Sequence, residues 1–204
     1  MTVDCITTGR LYTNTYLIVN GPDAIVIDPG ADYEQIAARL NKLGAKAKYV
    51  LITHAHFDHI GAVASFAANG AKVYISKADY DMLVKSEFYN DLGYFGENVQ
   101  EFNADFLIGD SDKFALCNHD FTVIATPGHT PGGVCYIMDD VCIFTGDTLF
   151  RLSVGRTDFP FCSHSDLMQS IKKLFAIAGN YTVYPGHGES STLDFERNNN
   201  PYVR

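Results

Sequence analysis

No stretch of this 204-residue sequence approaches the ~18 consecutive apolar residues of a membrane span, and residues 1–10 lack the basic segment followed by an apolar one that an export signal needs. A soluble cytoplasmic protein without membrane attachment is expected. Basic residues are scarce. The 15 lysines and arginines face 24 aspartates and glutamates, a formal charge of -9 with no basic cluster to offset it. Such a field repels polyanions and argues against a nucleic-acid partner. The cysteines Cys5, Cys117, Cys135, Cys142 and Cys162 are odd in number and contain no C-x-x-C pair. They form neither a disulfide framework nor a cysteine zinc site, and reduced thiols are expected. Internal repeats, low-complexity tracts and linkers are absent, so residues 1–204 are expected to form a single domain. At 47% hydrophobic and 19% charged residues the chain is too apolar for disorder. It is also long enough to fold without a metal, so a metal site here would signal function.

Strand-length apolar stretches recur at Thr15–Val19, Ala24–Ile27, Tyr49–Ile52, Lys72–Ile75, 121–126, Val134–Met138, 141–145 and Tyr181–Tyr184. Asp139-Asp140 reads as a hairpin turn. Helices are expected after Asp32, where Asp32-x-x-Gln35 reads as a capping box, over Ile60–Ala68 and Ser76–Val84, and over 163–178 behind a Ser163-x-x-Asp166 box. Each half is strands with covering helices. That pattern suits a four-layered αβ/βα sandwich better than a doubly wound parallel sheet.

Four of these strands each lead into a candidate metal ligand. Leu51-Ile52-Thr53 precedes His54-Ala-His56-Phe-Asp58-His59, Thr126-Pro-Gly128 precedes His129, Thr145-Gly146 precedes Asp147, and Pro185-Gly186 precedes His187. Ligands just past strand ends sit at the rim of a sheet, where distant parts of the chain converge. On extended backbone His54 and His56 project the same way, with Asp58 and His59 turning toward a neighbouring position. These seven nitrogen and oxygen donors exceed the needs of one tetrahedral ion. They suit two ions sharing an aspartate and a bridging water, and the absence of cysteine favours a catalytic over a structural site. Zinc is the first choice of metal, and the donor types also accept iron or manganese.

The motifs Val26-Ile-Asp28-Pro-Gly30, Thr53-His-Ala-His-Phe-Asp-His59, Thr126-Pro-Gly-His129, Gly146-Asp147-Thr-Leu-Phe150 and Pro185-Gly-His187-Gly resemble those of the metallo-β-lactamase superfamily. Gly155-Arg-Thr-Asp-Phe-Pro160 and Ser191-Thr-Leu-Asp-Phe-Glu-Arg197 are similar to its short glyoxalase II-like branch. The resemblance implies that His54, His56 and His129 bind one ion, that Asp58, His59 and His187 bind the other, and that Asp147 bridges. Asp28 would orient a histidine ligand. Asp58 and Asp147 would form the catalytic pair around a metal-bound hydroxide. The implied reaction is hydrolysis of an S-2-hydroxyacyl thioester such as S-lactoylglutathione, by a monomer or homodimer acting on a small molecule. Full-length members append a helical domain whose basic residues hold the glutathione carboxylates. No such domain is expected here, since only Arg197 and Arg204 are basic beyond His187. Two alternatives share these ligands: a mononuclear iron persulfide dioxygenase, and a hydrolase of lactones or other esters. Arg156 and Asp158 are read either as substrate-guiding or as a loop-fixing ion pair. His119 and His164 are expected to be inert. The aromatic run Phe88–Phe95, with Phe102 and Phe106, is read as core, subunit contact or substrate wall.

Overall fold

The computed structural model describes residues 3–85 and 99–203. Its strands are β1 (Val3–Thr8), β2 (Thr13–Asn20), β3 (Asp23–Ile27), β4 (Lys46–Leu51), β5 (Lys72–Ser76), β6 (Phe106–Ile108), β7 (Lys113–Leu116), β8 (His119–Ala125), β9 (Val134–Met138), β10 (Cys142–Gly146), β11 (Leu149–Phe150), β12 (Ser153–Val154), β13 (Thr182–Pro185) and β14 (Ser191–Thr192). The described helices are α1 (Tyr33–Lys42), α2 (Phe57–Ile60), α3 (Val63–Ala68), α4 (Lys77–Lys85), α5 (His164–Phe175) and α6 (Leu193–Asn199).

One six-stranded sheet runs β1-β2-β3-β4-β5-β6, antiparallel up to β3 and parallel beyond it. The second runs β14-β13-β10-β9-β8-β7, with β10 and β13 parallel and the other pairs antiparallel. Both sheets are apolar on both faces, because each is covered twice. In β2, Tyr16 and Ile18 face the core between the sheets, while Leu17 joins α1 residues Ile36 and Leu40 in the outer core. In β9, Tyr136 and Met138 face the first sheet, while Cys135 and Ile137 pack with Ile171 and Leu174 of α5. The order is helix, sheet, sheet, helix, as the sequence implied. Residues buried as completely as Leu17, Ile18 and Leu51, all at 0% exposure, stabilise by roughly 1.5–3 kcal/mol each.

Three local expectations need correction. Asp32 does not cap α1 through its side chain; it sits at φ 54, and its Oδ2 accepts from the Gly9 N–H at 2.9 Å instead. The Ile60–Ala68 helix is divided at Gly61-Ala62: α3 starts only at Val63, and Ile60 instead ends α2, a short helix from Phe57 that carries Asp58 and His59. The helix over 163–178 stops at Phe175, where Arg197 donates to the carbonyls of Phe175, Ile177 and Gly179. Ser163 does cap that helix, accepting from the Asp166 N–H. Asp139-Asp140 is a tight turn with both residues at positive φ, as expected. Phe88–Phe95 lies outside the described residues; Phe102 is core, and Phe106, half-exposed on β6, stacks on Tyr74 with ring centroids 4.3 Å apart.

Candidate metal centre

The two sheets meet along one edge, and the candidate ligands emerge there. Three cross-sheet hydrogen bonds fasten that edge: Asn14 Nδ2 donates to the Pro185 carbonyl at 3.0 Å, Tyr16 Oη to the same carbonyl at 2.6 Å, and Tyr136 Oη to the Ile52 carbonyl at 2.7 Å. The Thr13–His187 bridge and the Asn14 N–H bond to the Gly186 carbonyl continue it. The loops after β4, β8, β10 and β13 therefore start from a fixed frame.

All seven sequence-predicted ligands come together. His54, His56 and His129 place one donor atom each within 4.8 Å of one another, and so do Asp58, His59 and His187. Asp147 lies between the groups, its Oδ1 3.4 Å from His59 Nε2 and its Oδ2 3.3 Å from His129 Nε2 and 3.6 Å from His187 Nε2. A third grouping, Asp28 with His54 and His59, meets the same distance test. Both Asp28 oxygens are already engaged there. Oδ1 accepts from the Thr53 N–H at 2.7 Å, and Oδ2 accepts from Thr53 Oγ1 at 2.6 Å and lies 2.9 Å from His59 Nδ1. Asp28 thus orients His59 instead of competing with it for an ion.

Three imidazoles are anchored through the nitrogen that faces away from the cluster. His59 Nδ1 meets Asp28, His129 Nδ1 meets the Arg156 carbonyl at 2.8 Å, and His187 Nδ1 meets the Leu11 carbonyl at 3.1 Å. A carboxylate or carbonyl acceptor on Nδ1 fixes a proton there and turns Nε2 toward the cluster, where His129 Nε2 lies 2.8 Å from His56 Nδ1 and His187 Nε2 lies 3.2 Å from Asp58 Oδ2. Thr13 Oγ1 donates to Asp58 Oδ2 at 2.8 Å. Among the described residues, His54 Nε2, His59 Nε2 and Asp147 Oδ1 are the buried side-chain atoms without a hydrogen-bond partner. Orphaned buried polar atoms are costly, and all three belong to the cluster, where a cation would satisfy them.

The electrostatics agree. Burial holds His54 well below the usual imidazole range, and burial together with His129 brings His56 down to about 3, so both rings are neutral at neutral pH. Burial alone would raise Asp58 and Asp147; the surrounding histidines outweigh it, bringing Asp58 to about 2 and Asp147 well below the ordinary value. Burial opposes protonation of His59, yet Asp58, Asp147 and Asp28 together raise it well above its ordinary value. A position where three carboxylates retain a proton is one where a divalent cation can replace it. The residues present fit a pair of metal ions.

Some contributors were not visible in the sequence reading. Thr13 and the Leu11 and Arg156 carbonyls belong to loops distant in sequence, and backbone acceptors carry no residue signature. Arg156 itself is an ion-pair residue: its guanidinium makes a two-pronged contact with Asp158 at 2.6 and 2.7 Å and stacks 3.9 Å over the Phe159 ring. Phe159 in turn packs edge-on against His56. His119 pairs with Asp139 on β8, and His164 is an exposed residue opening α5; neither reaches the cluster.

An αββα sandwich whose sheet rim gathers histidines and aspartates in this way is the frame of a metallo-hydrolase. The chain belongs to the metallo-beta-lactamase superfamily, whose family model matches residues 8–187. The hydroxyacylglutathione hydrolase GloC of Haemophilus influenzae is 30% identical over 209 residues, covering 100% of this chain and 98% of that one. Among solved structures, the B3 metallo-beta-lactamase BLEG-1 matches with a TM-score of 0.90 at 31% identity over 99% of each chain. TTHA1623, solved in a di-iron-bound form, matches with a TM-score of 0.86 at 32% identity over 98% of this chain and 100% of that one. No helix among the described residues is long and apolar enough to cross a membrane.

Proposed function

We propose that this chain is a dinuclear metal-dependent hydrolase of the glyoxalase II-like type, cleaving a small S-2-hydroxyacyl thioester. The observation that carries the reading is the pair of donor triads flanking one carboxylate, with unpartnered atoms of His54, His59 and Asp147 aimed into the space between them. His54, His56 and His129 would hold one ion, Asp58, His59 and His187 the other, and Asp147 both; zinc, iron or manganese suits these donors. When bound, such ions lower the pKa of a shared water toward ~7 and polarise the attacked carbonyl.

The side chains supply the rest. Asp28, the Arg156 carbonyl and the Leu11 carbonyl keep three Nε2 atoms aimed inward through the reaction. Asp58 and Asp147 are held ionised at neutral pH, so they serve as donors to the ions and not as proton sources. That property bears on the substrate. A thiol with a pKa near ~8.5 leaves as thiolate without help, whereas an amide nitrogen must be protonated as it departs. The site therefore favours thioesters over lactams, although BLEG-1 shares its fold closely. The GloC match supports the same substrate class, and a lactone would use the same residues. The mononuclear iron dioxygenase reading, with His54, His129 and Asp147 as ligands, differs in leaving the Asp58, His59 and His187 group without an ion.

The test is elemental analysis of chelator-free protein, followed by turnover assays on S-lactoylglutathione, simpler 2-hydroxyacyl thioesters, lactones and a β-lactam. About two ions per chain and fastest turnover on a thioester are expected. A fully loaded protein that cleaves the lactam and spares every thioester would overturn the substrate assignment. His187→Ala is expected to lower the metal content from about two ions to about one while leaving the fold intact. Undiminished stoichiometry would show that the Asp58, His59 and His187 group holds no ion.

A further inference from the structure

Asp79 lies in the first turn of α4, and Ser76-x-x-Asp79 at a helix start has the form of a capping box. Ser76 plays its part, accepting from the Asp79 N–H at 3.2 Å. The Asp79 carboxylate does not return the bond. It turns inward, is fully buried, and accepts three hydrogen bonds from two other loops: Oδ2 from the Ala55 N–H at 2.8 Å and from Thr130 Oγ1 at 2.9 Å, and Oδ1 from the Gly132 N–H at 2.6 Å. Ala55 stands between His54 and His56, and Thr130 follows His129. One side chain thus joins the loop leaving β4 in the first sheet to the loop leaving β8 in the second. Between them these loops carry one complete donor triad. The contact is close-packed as well as bonded, since a Cβ on Gly132 would stand 2.3 Å from the Asp79 nitrogen and from Ser76 Oγ.

We infer that Asp79 is the positioning residue for the ion held by His54, His56 and His129, as Asp28 is for His59. The inference rests on the dinuclear reading above. It does not place Asp79 on substrate or metal. Its carboxylate fixes the separation between two loops, and through it the convergence of three imidazoles. Asp79→Asn is a sharp probe because the two oxygens face different backbone N–H groups. Whichever way the amide is turned, its NH2 points at the Ala55 or the Gly132 donor, and one loop is released. Thr130→Val is the milder partner, since it removes the hydroxyl donor and keeps both backbone bonds.

Metal titration against a chelator of known affinity, on wild type, Asp79→Asn and Thr130→Val, measures each of the two binding steps. Cobalt(II)-loaded protein then identifies the affected half, because ring N–H signals of His129, His59 and His187 are shifted by a cobalt ion bound to the same ring. For Asp79→Asn one of the two binding constants is expected to weaken by about 10–100-fold, as for other residues that support a ligand. The shifted His129 signal should disappear while those of His59 and His187 persist; Thr130→Val should weaken the same step to a smaller degree. Unchanged affinities in a folded Asp79→Asn protein, or equal weakening of both steps, would overturn the inference. If Asp79→Asn does not fold, an unaltered Thr130→Val does so instead. Wild type that takes up fewer than two ions sinks the dinuclear reading, a result distinct from either.

Discussion

Asp147→Asn should lose both ions and nearly all hydrolytic activity while keeping its fold. Among the described residues, Asp147 is the carboxylate placed between the triads, with Oδ1 near His59 and Oδ2 near His129 and His187. Asparagine has nearly the same volume, so the packing around it is undisturbed. What changes is the charge and one acceptor. The side-chain NH2 must face either His59 Nε2 or the His129 and His187 nitrogens, and in either orientation it sets N–H groups where a cation needs lone pairs. Losing electrostatic support worth several kcal/mol, taken as about 4, corresponds to about a thousandfold in rate. Metal content, turnover and circular dichroism of the same preparation check this. A variant that holds two ions and turns over near the wild-type rate would show that Asp147 does not link the two halves.

The legible part of this protein was its periodic and punctuated part. β2, β3, β9 and β10 announce themselves because each is apolar on both faces, a pattern that only a doubly covered sheet demands. The candidate ligands are legible for another reason: histidine or aspartate directly after Thr53, Gly128, Gly146 and Gly186 marks a strand ending in a tight turn at a rim. Short edge strands such as β6, β7 and β14 were missed, since two to four residues are too few for alternation to show. Asp32 misled because a capping-box pattern specifies side chains but not the backbone angle, and here that residue adopts φ 54. Asp79 was invisible for a related reason. A carboxylate in a first helical turn looks like a response to the helix dipole, and only the three-dimensional structure shows its hydrogen bonds going to Ala55, Thr130 and Gly132. The supporting shell was the least legible. Carbonyls of Leu11 and Arg156 act through the backbone, where residue identity leaves no trace.

Gly186→Ala should disable the centre by sterics alone. The backbone at Gly186 is not in the left-handed region, so alanine meets no conformational objection there. The added Cβ would nevertheless stand 2.2 Å from Asp147 Oδ1 and 2.7 Å from His59 Cε1, distances no real contact tolerates. Neither neighbour gives way easily, because His59 is held by Asp28 and lies at 0% exposure. Nor can residue 186 retreat, since its N–H bonds the Gly146 carbonyl at 2.8 Å and its carbonyl accepts from Asn14 at 2.7 Å. Overpacking of this kind costs about 1–3 kcal/mol of stability. Metal affinity should fall by more than the ~10–100-fold typical of a disturbed supporting residue, because the methyl displaces an atom of the proposed bridging carboxylate itself. Gly188→Ala is the matched control. Gly188 has φ +76 and nothing within 4 Å of its would-be Cβ, so alanine there strains the backbone by roughly 1–2 kcal/mol and leaves the donors in place. Thermal melting of both variants separates the costs of folding, and chelator titration separates the effects on metal. If Gly188→Ala lost as much metal as Gly186→Ala, general destabilisation would be the cause, and the assigned closeness of Gly186 to Asp147 would carry no functional weight.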